Sequence, residues 1–455
     1  MRYEEYKPID AKWEASIPSH WDYVPLRHIF IERKEINVTS SCTDILSLTN
    51  THGVIPYSQK GNMGNKQKDD LSSYHIAHVG DLVVNSMNVI IGSSGVSKYH
   101  GCVSPVYYTL TIRNDDNVDY YGYFFKIPPF FQSLKPLGNG ILEIRLRIPM
   151  NKLNTVMLPV PPREEQDQIV RYLDWKVSCI NKLIHGYQRQ IKLLEERRQT
   201  VIDRATLEGI DGAKLKDSGT HWVKRIPENW EMVYSKKLFS ERKDKAFPND
   251  EQLTASQKYG VISQKEFIER EGRRVTVVLT GSDILKHVGI GDFIISMRSF
   301  QGGLEYSYVE GKISSAYVML IPRKEFVYDE YFKWLLKSKP YIKALQGTSD
   351  LVRDGQALRY ANFAKVPLPQ IPLDEQKRIA EHIEIETSKI DAAIPVFEKQ
   401  IELLKEYRTR LISDVVTGQM DVRGVVVPDY TPEDDAVENE ADEEMTDEEV
   451  SMDAD

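Results

Sequence analysis

The chain of 455 residues contains the same passage twice, 210 positions apart. Residues 158–166 are Leu-Pro-Val-Pro-Pro-Arg-Glu-Glu-Gln, and residues 368–376 are Leu-Pro-Gln-Ile-Pro-Leu-Asp-Glu-Gln. Between 158 and 202, 16 of 45 positions are identical to those 210 residues later, which is too many for a local coincidence. Such a repeat indicates one structural unit used twice. The duplication constrains the fold more than any single residue does.

The segments that precede these passages match only at a few anchors. Trp13 and Trp21, eight positions apart, recur as Trp222 and Trp230. A Gly-Asp pair followed by apolar residues occurs at 80–84 and again at 291–295. Predicted strands (80–85, 107–112, 293–296 and 316–321) and helices (120–131 and 329–345) mix in both segments, with turn glycines between them. We therefore predict two compact α+β modules that share a frame and differ in their loops.

The segments that follow each passage have the pattern of long helices. Apolar residues recur at alternate steps of four and three over 173–201, and in the same register over 383–411. This heptad pattern predicts two coiled-coil helices, and a helix of about 40 residues would be about 60 Å long. Because neither helix can bury its apolar stripe alone, the natural partner of each is the other. Gly186 weakens the first helix, and Pro395 predicts a kink or break in the second.

These patterns divide the chain into five parts. The modules occupy residues 1–158 and 209–368, the helices occupy 159–208 and 369–420, and a tail occupies 421–455. Residues 428–455 hold 14 Asp and Glu residues and no Lys or Arg, so that the remainder of the chain has a net charge of +5 against −9 overall. This composition predicts a disordered tail. A solubilising role is the simpler interpretation of the tail, and a DNA mimic that competes for a basic surface is the alternative.

The sequence offers no convincing site for catalysis or for a metal. It lacks the Gly-x4-Gly-Lys-Ser/Thr phosphate loop and the Asn/Asp-Pro-Pro-aromatic motif that positions an amino group for methylation. His75 and His78 are three residues apart, but no acidic helix surrounds them. Three widely spaced cysteines, together with the lack of a signal peptide or a long apolar run, favour a cytoplasmic location. We predict a protein without catalytic residues, metal or cofactor of its own.

Both modules instead carry polar, basic and aromatic residues in predicted loops. Arg and Lys side chains suit guanine edges and phosphates, and Asn suits adenine edges, although solvated loops are polar in any protein. The signal lies in having two such sets on a duplicated frame. The candidate DNA-binding residues are Tyr57, Lys60, Asn62, Lys66, Asn85, Asn88, Arg145 and Arg147 in the first module, and Lys258, Tyr259, Lys265, Arg298, Gln301, Arg353 and Arg359 in the second.

The doubled motif resembles the specificity subunits of type I restriction–modification systems. The resemblance rests on Leu-Pro-x-Pro-Pro-x-x-Glu-Gln-x-x-Ile at 158–169 and Gln-Ile-Lys-Leu-Leu-Glu-Glu-Arg-Arg at 190–198, with the second copy at 368–379 and 400–408. The paired tryptophans and the Gly-Asp strand also resemble that family, and the likeness covers about residues 10–423. Ile371 replaces a proline of the motif, and Pro395 and the acidic tail also depart from the pattern.

The resemblance implies two target recognition domains, each of which recognises one half of a split sequence in double-stranded DNA. It implies that the two helices pair as an antiparallel coiled coil with pseudo-two-fold symmetry, fix the spacing of the half-sites and bind two methyltransferase subunits. Restriction or translocase subunits then join this core. S-adenosylmethionine, ATP and Mg²⁺ would be bound by those partners. Arg147 and Arg359 match a basic position of such domains.

Two other functions remain open at this stage. The chain could be a coiled-coil scaffold that binds proteins and has no sequence-specific contact with DNA, and the heptads alone do not exclude this. It could also be a fused methyltransferase or nuclease, in which case the chain alone would modify or cleave DNA. The recognised bases and the spacer length do not follow from the sequence.

Overall fold

A computed structural model describes residues 2–49, 52–60, 70–139, 146–256, 258–272, 285–296, 304–348 and 359–433 of the chain. The chain forms two compact units. The first consists of Met1–Gln188 and Glu398–Asp455, and the second consists of Arg189–Phe397. Each unit therefore combines one module with one part of each long helix.

The first unit begins with short strands and three short helices. The strands are β1 (Tyr6–Pro8), β2 (Ser16–Pro18), β3 (Asp22–Pro25), β4 (Phe30–Glu32), β5 (Leu46–Thr49), β6 (Gly53–Pro56), β7 (His75–Ala77), β8 (Leu82–Asn85), β9 (Ser94–Val96), β10 (Gly101–Val103), β11 (Tyr107–Ile112) and β12 (Met157–Val160). The helices are α1 (Val118–Phe124), α2 (Pro128–Ser133) and α3 (Met150–Leu153).

An antiparallel sheet of order β4-β11-β8-β9 lies at the centre of this module. Leu82, Val83 and Val84 on β8 are all fully buried, although successive strand residues point to opposite faces. Leu82 and Val84 belong to the main core, which includes the aromatic residues of α1 and α2. Val83 packs instead with residues of the hairpin β5-β6 and of the pair β7-β10. The sheet is therefore covered on both faces.

The long helix α4 (Arg163–Glu208) follows β12, and the second module repeats the first. Its strands are β13 (Leu215–Asp217), β14 (Arg225–Pro227), β15 (Glu231–Tyr234), β16 (Phe239–Glu241), β17 (Leu253–Ser256), β18 (Gly260–Ser263), β19 (Lys286–Val288), β20 (Phe293–Ser296), β21 (Glu305–Tyr306), β22 (Gly311–Ile313), β23 (Tyr317–Pro322) and β24 (Pro367–Gln370). Its helices are α5 (Gln264–Glu271), α6 (Asp329–Leu335), α7 (Lys339–Gln346) and α8 (Tyr360–Lys365), and α9 (Leu373–Val416) is the second long helix.

The second module has the strand order of the first. Its central sheet is β16-β23-β20-β21, and the pairs β17-β18, β19-β22, β13-β14 and β15-β24 correspond to β5-β6, β7-β10, β1-β2 and β3-β12. Phe293 and Ile295 enter the main core of this module, while Ile294 packs on the opposite face. The prediction of two similar α+β modules is confirmed, although the copies share few residues outside their anchors.

Within each unit the two long helices run antiparallel. In the first unit Asn181 of α4 meets Arg408 of α9, and Gln168 donates to carbonyl groups that follow the end of α9. In the second unit Arg198 of α4 meets Asp391 of α9 at 2.8 Å. The pairs Asn181–Arg408 and Asp391–Arg198 are related by the 210-residue offset of the repeat. This confirms the predicted pairing of the two helices.

Two expectations from the sequence differ from the structure. Of the kink or break predicted at Pro395, the break is absent, because helix α9 continues through this residue. The proline removes one backbone hydrogen bond, and packing of the neighbouring turns at Ile390 and Ile401 holds the helix. The start of the predicted tail is also wrong, because residues 421–433 pack against α4 of the first unit. Residues 434–455 lie outside the described residues.

Candidate nucleic-acid interface

Each module is attached to the first turn of the helix that follows it by a buried tryptophan. The indole Nε1 of Trp21 donates to Glu165 at 3.1 Å, and that of Trp230 donates to Glu375 at 2.9 Å. The second carboxylate oxygen accepts from His20 at 2.9 Å in the first unit and from Asn229 at 3.1 Å in the second. The repeated glutamate thus binds the repeated tryptophan.

The glutamine that follows each of these glutamates ties a module loop to the helix. Gln166 is fully buried, donates to Pro161 O and Asp116 at 2.8 Å each, and accepts from Asn117 N at 2.7 Å. Gln376 is equally buried and joins the same places of the second unit, at Ile371 O, Phe326 O and Tyr328 N, with every distance 2.8 Å. These bonds explain why Glu-Gln recurs in the repeated passage.

A tyrosine ties each module to the end of the other long helix. In the first unit the Tyr120 hydroxyl donates to Val416 O of α9 at 2.8 Å. In the second unit the Tyr331 hydroxyl donates to Thr206 O of α4 at 2.7 Å. Each module is therefore held by the start of one helix and the end of the other.

A buried ion pair fixes the centre of each module. Arg33 binds Asp81 through two bonds of 2.8 and 3.0 Å, and Arg242 binds Asp292 through bonds of 2.6 and 3.0 Å. Both aspartates are almost fully buried, and each belongs to the repeated Gly-Asp pair. The hydrogen bonds to Asp81 raise the pKa of the Arg33 guanidinium. The ion pair restrains the neighbouring strand ends, and these strand ends support the loops.

Three of the predicted DNA-binding residues of the first module lie on adjacent segments. Asn85 ends β8, Asn88 lies in the following turn, and Ile148 N, next to Arg147, donates to Ser86 O at 2.9 Å. Asn85 is buried, and its Oδ1 accepts from Met87 N at 3.0 Å, so this oxygen shapes the turn. Arg147 is exposed. Arg147 is therefore the exposed cationic side chain of this cluster.

Tyr57 and Lys60 lie at the two ends of another turn of the first module. A short 3₁₀ turn follows β6, in which Lys60 N donates to Tyr57 O at 3.1 Å. The backbone N–H of Tyr57 donates to Ile45 O at 2.9 Å, which fixes the start of the turn. Both side chains are half-buried.

Three of the four candidates that are described in the second module lie around the hairpin β17-β18. Lys258 Nζ and the Tyr259 hydroxyl both bind Glu271 Oε1, at 3.0 and 2.7 Å. Hydrogen bonding of Lys258 with Tyr259, followed by its bond to Glu271, raises the pKa of Lys258. Lys265 is exposed on the first turn of α5. Arg359 is exposed and precedes α8, where its backbone N–H donates to Asn362 at 3.1 Å.

The remaining candidates, Asn62, Lys66, Arg145, Arg298, Gln301 and Arg353, lie outside the described residues. The structure adds two clusters of cations and aromatic rings that the sequence analysis missed. The Arg270 guanidinium lies 5.1 Å from the Tyr259 ring, and Lys333 Nζ lies 4.1 and 4.4 Å from the rings of Tyr306 and Tyr308. Lys333 is far from its aromatic partners in sequence, so no local pattern indicates the second cluster.

In the part of the chain that the structure describes, no three His, Cys, Asp or Glu side chains come together as ligands for a metal ion. The same residues contain no helix of sufficient length and hydrophobicity to cross a membrane. Within the described residues, the candidate interface consists of loops on two modules, each of which is hydrogen-bonded to both long helices.

No family model matches the chain. It is 23% identical over 381 residues to the putative type I restriction enzyme MjaX specificity subunit of Methanocaldococcus jannaschii, and the match covers 81% of this chain and 85% of that protein. It is 22% identical to the type I restriction enzyme MjaVIII specificity subunit of the same organism, over 76% of this chain and 82% of that protein. The chain is therefore similar, over most of its length, to two type I specificity subunits.

The structural comparison agrees with this relationship. The fold matches a chain from a structural study of complex assembly and conformational transition of the type I R-M system, with a TM-score of 0.66 and 13% identity. That match covers 89% of this chain and 99% of the other. The two chains thus share one fold over most of their length.

Proposed function

We propose that this chain is the non-catalytic specificity subunit of a type I restriction–modification complex, and that each module binds one half of a bipartite DNA target. The observation that carries the proposal is the repetition of the bracing bonds in two modules whose loops differ. Recognition of two different half-sites requires two modules that share a framework and differ in their loops. The resemblance to specificity subunits over most of the chain supports the same function.

Recognition of each half-site would come from side chains on the loops. Exposed Arg147, Lys265 and Arg359 are suited to phosphates or guanine edges, since Arg and Lys donate to acceptors only. Phosphate contacts give affinity that depends on salt, while contacts to base edges give specificity. The aromatic and cationic cluster of Tyr259 and Arg270 offers a further contact surface beside Lys265.

The paired helices would act as a spacer between the half-sites. Each module is hydrogen-bonded to both helices, through Glu165 and Val416 O in one unit and through Glu375 and Thr206 O in the other. Because these attachments are at the helix ends, the number of residues between them sets the distance that the spacer covers. A change of helix length would therefore alter the gap and leave the bases of each half-site unchanged.

The chemistry would belong to partner subunits, namely two methyltransferase subunits and the restriction or translocase subunits that join them. Leu193 on α4 and Leu403 on α9 occupy matching positions and are 57% and 46% exposed, which offers two equivalent apolar contacts for a partner present twice. S-adenosylmethionine, ATP and Mg²⁺ would act in those partners. The alternative, a protein scaffold without sequence-specific DNA contact, shares the paired helices.

The decisive experiment is sequencing of methylated adenines after expression with the methyltransferase subunit. Replacing residues 12–155 with the corresponding module of another specificity subunit should change one half of the methylated sequence only. Insertion of residues near position 188, matched on α9 near position 398, should lengthen the gap alone. An insertion that altered the half-site bases, or a complex without sequence preference, would contradict the proposal. Sequence-independent binding would favour the scaffold.

A further inference from the structure

The last described residues form a segment that runs along α4 in the first unit, and we call residues 419–433 the C-terminal strap. Near its start, Val422 and Val425 present carbonyl groups to Gln168 Nε2 at 3.0 and 2.7 Å. Met420 lies against the Tyr172 hydroxyl at 3.9 Å. Val422 is almost fully buried in the main core of the unit. The strap is thus anchored both by side chains and by hydrogen bonds.

The far end of the strap is held by three polar residues of α4. Ser178 Oγ accepts from Glu433 N at 2.8 Å and donates to Thr431 O at 3.3 Å. Asn181 Nδ2 donates to Glu433 O at 3.2 Å. His185 Nδ1 lies 2.8 Å from Glu433 Oε1. Glu433, the last described residue, is therefore held at a defined point on α4.

The strap covers one outward stripe of α4, with members three or four residues apart: Gln168, Tyr172, Trp175, Ser178, Asn181 and His185. The copy of this stripe on α9, in the second unit, consists of Arg378, His382, Ile385, Ser388, Asp391 and Pro395. All six residues of that copy are exposed, whereas Tyr172, Ser178 and Asn181 are buried. Ile385 is 56% exposed, and so is Val396 beside Pro395, so that none of the described residues buries these two apolar side chains on α9.

The residues that differ between the stripes explain why the strap suits α4. At the position of Asn181, α9 has Asp391, which offers no donor to the Glu433 carbonyl group and carries a charge of the same sign as the Glu433 side chain. At the position of His185, α9 has Pro395, which has no group to bind a carboxylate. Ser178 and Ser388 are the same residue, so of the hydrogen bonds at the far end of the strap only the two made by Ser178 could form at the α9 stripe. The duplicated surface has diverged to bind the strap on one side.

We infer that the exposed stripe of α9 is a binding surface for a methyltransferase subunit, and that the strap occupies the equivalent surface on α4, so that two such subunits bind with unequal affinity. This inference rests on the proposed function. The α4 stripe shows that a surface of this spacing accepts a polypeptide segment. Exposed Ile385 and Val396 provide the apolar contact that a folded partner would bury. The partner that displaces the strap must break its hydrogen bonds, whereas the partner on α9 meets a free surface.

The test is a titration of the full chain with its cognate methyltransferase subunit, followed by native mass spectrometry. A complex with one methyltransferase subunit should accumulate before the complex with two, with dissociation constants about tenfold apart, or about 1.4 kcal/mol. A chain that ends at Val427 lacks the far end of the strap, and the difference should shrink to less than about threefold. A chain that ends at Glu433 keeps the strap, lacks the acidic sequence, and should behave as the full chain does.

Point variants distinguish the contribution of the strap-covered stripe on α4 from that of the exposed stripe on α9. Asn181→Asp places on α4 the residue that α9 has, and should weaken the strap as the truncation at Val427 does. Ile385→Asp should weaken the tighter of the two binding steps about tenfold or more. Val38→Asp, at an apolar position that is 73% exposed in the first module, is the matched control and should change neither step.

A readout without any partner checks the strap itself. Tyr430 lies beside Asp174 and Cys179, and burial, followed by these two groups, raises the pKa of Tyr430. Cys179 should therefore react with a thiol reagent several-fold faster in the chain that ends at Val427 than in the chain that ends at Glu433.

Equal dissociation constants in the full chain, or an unchanged difference after truncation at Val427, would overturn the inference while the proposed function stood. Failure of every variant to bind the methyltransferase subunit would overturn the proposed function as well.

Discussion

The indole Nε1 of Trp21 lies 3.1 Å from Oε1 of Glu165, across 144 residues of sequence. The same carboxylate accepts from the Tyr3 hydroxyl and lies 2.9 Å from His20 Nε2. One buried group at the start of α4 thus gathers three side chains from the beginning of the chain. Glu375 does the same with Trp230 and Asn229 in the second unit. The attachment of module to helix is the feature that the duplication has kept.

Substitution of this carboxylate should destabilise the first unit. Glu165→Ala leaves the Trp21 and Tyr3 donors buried without an acceptor, and should lower the free energy of unfolding by about 2–4 kcal/mol. Glu165→Gln keeps one acceptor oxygen and should cost about half as much. Urea unfolding followed by tryptophan fluorescence measures both. Equal stability of Glu165→Ala and the unsubstituted chain would show that the contact carries no energy.

The ion pair between Arg242 and Asp292 should not tolerate loss of the cation. Arg242→Ala leaves a carboxylate that is 1% exposed without its partner, and we expect a loss of about 3–5 kcal/mol in the free energy of unfolding. Arg242→Lys keeps the charge but loses the two-pronged geometry, and should have an intermediate effect. Arg270→Ala, on the exposed face of α5, is a suitable control. Thermal unfolding monitored by circular dichroism would contradict the prediction if Arg242→Ala and Arg270→Ala melted together.

Glu305 should give the second unit a measurable dependence on pH. Burial raises the pKa of Glu305, and the ion pair with Lys337 at 2.7 Å offsets part of this effect. The folded state therefore keeps the proton to a higher pH than the unfolded state, whose glutamate titrates near about 4.3. The contribution of Glu305 to the free energy of unfolding is largest below that pH and falls as pH rises through the raised pKa.

Glu305→Gln should remove this dependence. Relative to the unsubstituted chain, the variant should gain stability as pH rises from about 4 to about 7. Glu325→Gln, at an exposed position, should show no such gain. Urea unfolding at a series of pH values measures the difference, and a parallel pH profile for all three proteins would refute the assignment.

Cys102 should resist thiol reagents in the folded protein. Burial, followed by the neighbouring Cys42 thiol, raises the pKa of Cys102 to about 11. At pH 8 only about one molecule in a thousand would carry the thiolate, which is the reactive form. Half-buried Cys42 and Cys179 should therefore be modified first, and Cys102 only after urea is added. Mass spectrometry of peptides after labelling identifies the order, and early labelling of Cys102 would contradict it.

The long helices and the similarity of the modules could be predicted because both leave local signals. Heptad spacing indicates that a helix buries one apolar stripe, whichever element it packs against. The repeat indicates that the two long helices pack against each other. The role of Glu165 was predicted only in part. Its place in the first turn suggests an interaction with the helix dipole, but no periodicity links it to Trp21. Hydrogen bonds between distant segments depend on the packed structure, which a local pattern does not contain.

The tail shows how an average over composition can mislead. Acidic residues dominate 428–455, yet Met420, Val422 and Val425 precede them and pack on the core. The predicted boundary at 421 joined Val422 and Val425 to a segment of different character. Of the predicted DNA-binding residues, Asn85 has its oxygen committed to a turn, while Arg147 is exposed. Both residues are polar and lie at a strand end or a β-bridge. Only the backbone geometry shows that the first is bonded within a turn and that the second is exposed.

The recurrence of the same bracing bonds in both units has a consequence for the gene. A recombination event that joined one copy to the other inside the repeated passage would preserve every tryptophan, glutamate and glutamine of the attachment, whichever loops it brought along. New combinations of loops could therefore arise without any change to the residues that attach the modules to the helices. The exception is the part of the α4 stripe from Ser178 to His185, which binds the C-terminal strap. If recombination moved this part of the stripe to the other helix, the strap would no longer cover it.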